Sequence, residues 1–438
     1  MIRKIVLIFV CLLVSQSAFA LNREELNIGF FTKFNDDCLN YYIETALENN
    51  HNLKKAGFAV EQYRQQAKYS LGKELPSLSV SANYLGVHVP RLDNFQLSQN
   101  AFILPFIANY EPDFLLKNRD KTRSAKKAYE AAMYDEKAIY IALLSDVASV
   151  YTNILQYDCL IELQKEAVVS SKGIYFSDTK KFQRGVIDTS ALNVSKQNFE
   201  NADIMLKKLE KERDTLLIQL AVLCGISPDC TGDMKRGSLL RFEYSDTIPA
   251  QVSSDVIFSR PDVMKAEKNL EKAKIDVRIA RKEFLPSFNI TGVWIFNTIA
   301  PGSFFSWESS LAALLAGASQ DIFKGGMKIA NLRMQKAKYE ELFQEYKQVD
   351  LESVKEVNTA LCLVKYDTSI DKNKISTAEL QAKIFDNASK KYNRGVISTP
   401  DYLNEYKKLL TAKQESAQSK TQRLVDYFTL YKAVGGNL

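Results

Sequence analysis

The chain has 438 residues, is 46% hydrophobic and 25% charged, and carries a net charge of +6. Its 17 glycines and 10 prolines make about 6% of the residues against roughly 12% in average usage, which excludes collagen, disorder and a many-turned all-β fold. Two histidines argue against a histidine-rich metal site, and the mild basic balance gives no sign of a nucleic-acid partner.

Residues 1–20 read as a cleaved secretory signal. Arg3 and Lys4 precede an apolar run from Ile5 to Val14, and Ala18-Phe19-Ala20 ends in small residues at the expected cut. Cys11 follows Val10 inside that run, which does not suit a lipoprotein site, so no lipid anchor is expected. Residues 21–40 form an N-terminal segment. No later run of eighteen apolar residues occurs, so no spanning helix is expected. An exported chain of this kind is periplasmic, extracellular or a membrane β-barrel.

The rest is a duplication. Lys-Lys-Phe-Gln-Arg-Gly-Val-Ile-Asp-Thr at 180–189 returns as Lys-Lys-Tyr-Asn-Arg-Gly-Val-Ile-Ser-Thr at 390–399, an offset of 210. The same offset pairs Leu75-Pro76-Ser77 with Leu285-Pro286-Ser287, and Gly225 with Gly435. Two copies of one unit are therefore expected, at 41–226 and 251–438, with a linker at 227–250. Each unit begins with a helix running to Leu-Pro-Ser. A strand pair follows, at 77–114 or 287–323, then a very long helix, a turn at 185 or 395, and a second long helix.

In the strand pairs, Ser77, Ser79, Ser81 and Asn83 alternate with Leu78, Val80, Ala82 and Tyr84, and Ser287, Asn289 and Thr291 alternate with Phe288, Ile290 and Gly292. Aromatic residues crowd these segments, among them Phe102, Phe106, Tyr110, Phe296 and Trp307, which suits a lipid-interface girdle. Pro105 and Pro112 weaken the returning strand of the first pair. Four strands cannot close a membrane barrel, which needs about eight or more. Three chains would supply twelve and turn the polar residues inward.

The long helices carry a heptad. Sevens counted from Met133 give Tyr140, Val147, Ile154, Ile161, Val168, Tyr175 and Phe182. The matching register of the second unit gives Phe343, Val357, Val364, Ala378, Phe385 and Tyr392, interrupted by Asp350 and Asp371. A sustained seven-residue period predicts coiled-coil packing of long antiparallel helices. Gly185 and Gly395 are placed to reverse the chain in left-handed caps, so the tips display Arg184, Val186, Arg394 and Val396. Cys224 and Cys230 lie six apart in a turn, where a local disulfide and a pair of buried thiols both fit.

The chain resembles the TolC-like outer-membrane efflux protein family over essentially its whole mature length. The matching residues are Ser259-Arg260-Pro261-Asp262-Val263, Ala280-Arg281-Lys282-Glu283-Phe284-Leu285-Pro286-Ser287, Phe323-Lys324-Gly325-Gly326, Tyr392-Asn393-Arg394-Gly395-Val396 and Tyr431-Lys432-Ala433-Val434-Gly435-Gly436. The resemblance implies a mainly α fold with a small β part. By the same resemblance, long antiparallel coiled-coil helices would form an α-barrel, and four strands per chain would contribute to a trimeric twelve-stranded membrane β-barrel. It implies a homotrimer in outer-membrane lipid, the exit duct of an efflux or type I secretion system. A periplasmic adaptor would meet the tips at Arg184, Gly185, Val186, Arg394, Gly395 and Val396, and would itself be bound to an inner-membrane transporter.

Some members of the family close the periplasmic mouth with acidic rings six and nine residues past the second turn glycine. Those positions are Asp401 and Asn404 here, with Glu405 adjacent. Ile397 stands where such members carry a locking arginine. A periplasmic adaptor or coiled-coil scaffold is the alternative reading. No nucleophile elbow, phosphate loop, dinucleotide fingerprint or metal spacing occurs, so no catalysis, cofactor or metal is expected.

Overall fold

The computed structural model describes residues 27–92, 95–245, 252–298, 307 and 310–438. The expected signal sequence, with Cys11, lies outside the described residues, as does the end of the expected linker.

In chain order the elements are α1 (Gly29–Thr32), α2 (Asp37–Asn49), α3 (His51–Gly72), β1 (Ser77–Val80), β2 (Asn83–Leu92), β3 (Phe95–Tyr110), α4 (Lys117–Gln183) and α5 (Thr189–Leu223). After a 3-10 turn (Pro228–Asp233) come α6 (Ser254–Phe258), α7 (Pro261–Lys282), β4 (Ser287–Thr298), β5 (Ser310–Ser319), α8 (Met327–Asn393) and α9 (Thr399–Ala433). Boundaries recur at 210 residues: α3 and α7 begin at 51 and 261, β1 and β4 at 77 and 287, α4 and α8 at 117 and 327. The two longest helices have 67 residues each, and their only glycine is Gly173; neither contains proline. At 1.5 Å per residue each is roughly 100 Å long.

Two compact units emerge, and they do not coincide with the two repeats. One takes residues 27–57, 136–261 and 351–438; the other takes 58–135 and 262–350. Each draws on both halves of the sequence.

The first unit holds the main core. Tyr140, Val147, Ile154 and Ile161 of the α4 heptad are buried in it. The segment ahead of α2 adds three phenylalanines that periodicity could not flag. Phe30 stacks on Tyr431 at 4.9 Å, Phe31 on Phe428 at 6.1 Å, and Phe34 on Phe242 at 5.2 Å. Residues after α5 pack here too: Tyr42 donates from its hydroxyl to the Lys235 carbonyl at 2.7 Å, and the Ser245 N–H donates to the Lys33 carbonyl at 3.0 Å. Asp36 caps α2 by accepting from the Leu39 N–H at 2.9 Å, and also accepts from the Tyr151 hydroxyl at 3.0 Å.

The duplication builds one joint twice with different side chains. Asn50 donates to the Leu223 carbonyl at the end of α5, at 2.8 Å, and accepts from the Leu53 N–H at 2.9 Å. At the equivalent place in the second half, buried Arg260 donates to the Ala433 carbonyl at the end of α9, at 2.6 Å, and to Glu356 at 2.7 Å. Both side chains satisfy orphan carbonyls at a helix C-terminus, where a cation is also favoured by the helix dipole. The Ser-Arg-Pro-Asp motif thus owes its arginine to this joint. Gly225 and Gly435, with φ of +66° and +67°, turn the chain beyond each helix end.

The heptad interruption at Asp371 has a partner. Its buried carboxylate accepts from Arg423 Nε at 2.8 Å, and the same guanidinium reaches Glu243 at 2.9 Å. Asp426, on α9, is a second buried acid of this core. Burial, then the hydrogen bond and charge of Asp367, push its carboxyl up to about 7, although Gln422 donates to it at 2.9 Å. Between the ordinary value of 3.8 and about 7, the folded protein keeps a proton that the unfolded chain releases. Its contribution to stability is therefore complete below 3.8 and lost as pH rises through about 7. Asp426→Asn should flatten the fall in thermal midpoint of the detergent-solubilised protein between pH 5 and 8; parallel curves for variant and wild type would remove Asp426 from that dependence.

Cys224 is a free, buried thiol. It lies inside the core with Sγ 3.6 Å from the Tyr42 carbonyl oxygen, and burial pushes the thiol up to about 12. The side chain of Cys230 lies outside the described residues.

The second unit contains the sheet. Its antiparallel strands run in the order β1-β3-β4-β5, and β2 pairs with the outer part of β3. The break between β1 and β2 falls opposite Pro105, which has no N–H to give to the ladder; the Ser81 N–H donates to its carbonyl at 3.2 Å. The strands end at Tyr110 and Ser319, short of the expected 114 and 323. Beneath the sheet, α4 and α7 are tied by buried Asp120, which accepts two bonds from Arg278 at 2.7 Å and one from Lys282 at 2.6 Å. Burial works to raise that carboxyl, but the bonds from Lys282 and Arg278 outweigh it and hold the group below its ordinary range.

Candidate functional site

Two features can serve a duct: the tips of the helical hairpins, in the first unit, and the sheet, in the second. The tips share one backbone design. Gly185 and Gly395 both have φ of +72°, and a Cβ at either would meet nothing within 4 Å. Glycine is needed there for its left-handed conformation and not for space. The Gly185 N–H donates to the Phe182 carbonyl and the Val186 N–H to the Lys181 carbonyl, both at 2.9 Å. Gly395 and Val396 repeat both bonds to Tyr392 and Lys391 at the same distance. This is the Schellman pattern. Val186 and Val396 are each 68% exposed, so the apolar side chain that usually folds back on such a cap is presented outward. Arg184 and Arg394 are exposed beside them.

The helices that leave the tips begin differently. Asp188 caps α5 by accepting from the Ala191 N–H at 2.8 Å. In the second hairpin Ser398 is the cap, and its hydroxyl donates to Asp401 Oδ2 at 2.6 Å. The Asp401 N–H donates to the Ser398 hydroxyl at 3.3 Å in return. This resembles a capping box with the acid at the third helical position. The repeats thus place a carboxylate three residues apart, and only the second moves it into the first turn of the helix. Asn404 is exposed one turn on. Glu405 is held below its ordinary range by Lys408, which donates to it at 2.7 Å, with Gln381 donating at 3.3 Å.

The second tip also carries an aromatic cluster that the heptad contained but did not assemble. Tyr392 stacks on Tyr402 at 4.5 Å, and Phe385 lies 5.5 Å from Tyr402 and 5.3 Å from Tyr406. In the first hairpin Tyr175, the counterpart of Phe385, instead stacks on Phe199 at 6.2 Å.

The sheet has two unlike faces. Register places Leu78, Ala108, Gly292 and Leu314 in one row and Val80, Phe106, Trp294 and Ala312 in the next, all on one face. Rings meet across this face: Phe106 and Phe296 at 6.1 Å, Trp294 and Phe296 at 5.0 Å, Tyr84 and Phe102 at 5.1 Å. The other face carries Ser77, Asn109 and Thr291 side by side, with Thr291 Oγ1 donating to Asn109 Oδ1 at 3.0 Å. The outer edges are β1 with β2 on one side and β5 on the other, and they run in opposite directions. Leu78 and Val80 on one edge and Leu311, Leu314 and Leu315 on the other are exposed.

The model of the family described as outer membrane efflux protein matches this chain twice, at 42–226 and at 252–436. The chain is similar to the cation efflux system protein CusC of Escherichia coli K12, with 24% identity over 94% of this chain and 89% of the relative. It is similar to the antibiotic efflux pump outer membrane protein ArpC of Pseudomonas putida, with 24% identity over 93% of this chain and 85% of that protein. Its fold is that of the Campylobacter jejuni CmeC outer membrane channel, with a TM-score of 0.89 and 24% identity over 94% of this chain and 89% of that one. These matches support a channel and not the adaptor alternative. The doubled family match, together with the paired helical hairpins and the two-faced sheet, shows that the chain belongs to the outer membrane efflux protein family and serves as the outer-membrane channel of an efflux system.

Proposed function

We propose that three copies of the chain close one exit duct through the outer membrane, joined to an inner-membrane transporter by a periplasmic adaptor. The observation that carries this is the pair of open sheet edges of opposite direction. An open edge in lipid leaves a row of backbone groups unpaired, so the edges must be joined. Because they run oppositely, the β1–β2 edge of one copy meets the β5 edge of the next in antiparallel pairing. Two copies would give an eight-stranded barrel, whose interior side chains fill. Twelve strands leave a lumen, and the aromatic face then meets lipid.

Heat-modifiable migration of the outer-membrane fraction, with single channels in planar bilayers, tests this reading. A monomer that migrates alike with and without heating, and opens no channel, would overturn it.

Three copies would bring three Asp401 carboxylates to the periplasmic mouth. A carboxylate ring favours cations at a constriction. Asp401→Asn is expected to weaken block of the reconstituted channel by a trivalent cation severalfold; unchanged block would remove Asp401 from the mouth. The exposed Val186 and Val396, each beside an arginine, suit contact with adaptor hairpins. Val186→Cys and Val396→Cys are expected to crosslink to the adaptor in cells, and the absence of any adduct from both positions would count against docking there. Relatives of equal identity are named for cations and for antibiotics, so relatedness does not choose the cargo.

A further inference from the structure

The face of the sheet opposite the aromatic one is not polar throughout. Beyond Ser77, Asn109 and Thr291, the next row outward sets Ser79 and Ile107 beside Val293 and Ala313, and the row after it sets Pro105, whose carbonyl accepts from the Ser81 N–H, beside Ile295 and Leu311. The polar alternation read from Ser287, Asn289 and Thr291 stops at that point. One row further out, Asn83 stands opposite Ile103. Among the described strands, β1, β3, β4 and β5 contain no aspartate, glutamate, lysine or arginine.

This face lines the lumen if the aromatic face meets lipid. We infer that the two rows from Ile107 to Leu311 form a largely aliphatic band, carried by β3, β4 and β5 and interrupted on the first strand by serine, which favours amphiphilic small molecules of largely apolar surface over hydrated ions. The inference rests on the trimeric duct proposed above. A hydrated ion gains nothing at such a wall, because no charge or dense set of dipoles replaces its water. An apolar solute sheds water against the same wall and gains in proportion to the area covered. The polar rows on either side keep the lumen wet where the band begins and ends. The band is therefore a place where alkyl or aryl surface is held in passing, within rows that carry no charge to sort ions.

The test is block of the full-length channel in planar bilayers by tetramethyl-, tetraethyl- and tetrabutylammonium. Each carries one positive charge, so attraction to Asp401 cancels in their ratio. For the wild type, tetrabutylammonium is expected to block about tenfold more tightly than tetramethylammonium, the worth of fully burying about two of its added methylenes. In the triple variant Ile107→Thr, Val293→Thr, Ile295→Thr, which keeps β-branched side chains in the strands, the ratio is expected to fall to about twofold or less. A variant ratio equal to that of the wild type, or a wild-type ratio near one, would overturn the band. Heat-modifiable migration checks that the triple variant assembles. If it does not, Val293→Thr alone is read, with a ratio expected between the two; a ratio equal to the wild type's would overturn the band. A wild type that forms no channel overturns the duct itself, a result separate from either ratio.

Discussion

Replacing Arg423 by methionine is expected to cost about 3–5 kcal/mol of stability, because it strands a buried carboxylate without its cation. Asp371 lies in the seam between α8 and α9 and accepts from Arg423 Nε at 2.8 Å. No water reaches it freely, so the charge cannot be solvated once the guanidinium is gone. Glu243 suffers less, since Lys420 still reaches it at 2.8 Å. The loss should therefore belong almost wholly to Asp371. The double variant Asp371→Leu, Arg423→Met should recover most of it, since an apolar pair of similar volume often matches or exceeds a buried ion pair. Thermal or denaturant midpoints in detergent would decide. A single variant within about 1 kcal/mol of wild type would show that the pair does little, and a double variant no better than the single would place the cost elsewhere.

Gly225→Ala is expected to be comparably damaging, at roughly 2–5 kcal/mol, and more so than Gly435→Ala at the matching position of the second repeat. Both glycines have left-handed φ, which costs an alanine about 1–2 kcal/mol. They differ in what a methyl group would strike. At Gly225 the new Cβ would lie 2.5 Å from the Asn49 carbonyl oxygen and 2.7 Å from its carbon, both backbone atoms at the end of α2. At Gly435 the nearest atoms are Pro261 Cδ at 3.1 Å and Arg260 Cα at 3.3 Å, contacts that a few tenths of an ångström relieve. Recovery of heat-modifiable protein from membranes should fall in the order wild type, Gly435→Ala, Gly225→Ala. Equal recovery of the two variants would show that conformation alone, and not the clash, sets the requirement.

Much of this fold was legible as pattern. The offset of 210 residues is written in identical turn residues, and the elements recur at that spacing. The seven-residue period from Tyr140 to Ile161 announced a buried helical seam, because side chains that far apart on a helix lie on one face. Gly185 and Gly395 were readable as caps because few residues other than glycine tolerate a left-handed φ. The alternation of Ser77 to Val80 marked a strand because successive side chains there point to opposite faces.

Other features had no local signature. Asp371 looked like a break in the heptad, and only its distant partner Arg423 made it part of the seam. Phe30, Phe31 and Phe34 lie too close together to show a period, and their rings find Tyr431, Phe428 and Phe242 across hundreds of residues. The turn around Cys224 and Cys230 allowed a bridge by spacing, whereas burial against Tyr42 directs the Cys224 thiol into the core. At the second tip, Asp401 could be singled out by counting from Gly395, but its bond to Ser398 could not, since a cap depends on backbone angles as much as on residue type.

Local composition and period therefore settled the duplication, the helices, the turns and the existence of the strands, because each depends on interactions within a few residues. Tertiary structure decided the rest. Strand register turned an apparently regular alternation into polar and largely aliphatic rows, and left two edges of opposite direction unpaired. Pairing between residues nearly two hundred positions apart sets which side chains share a row, and no local pattern carries that information.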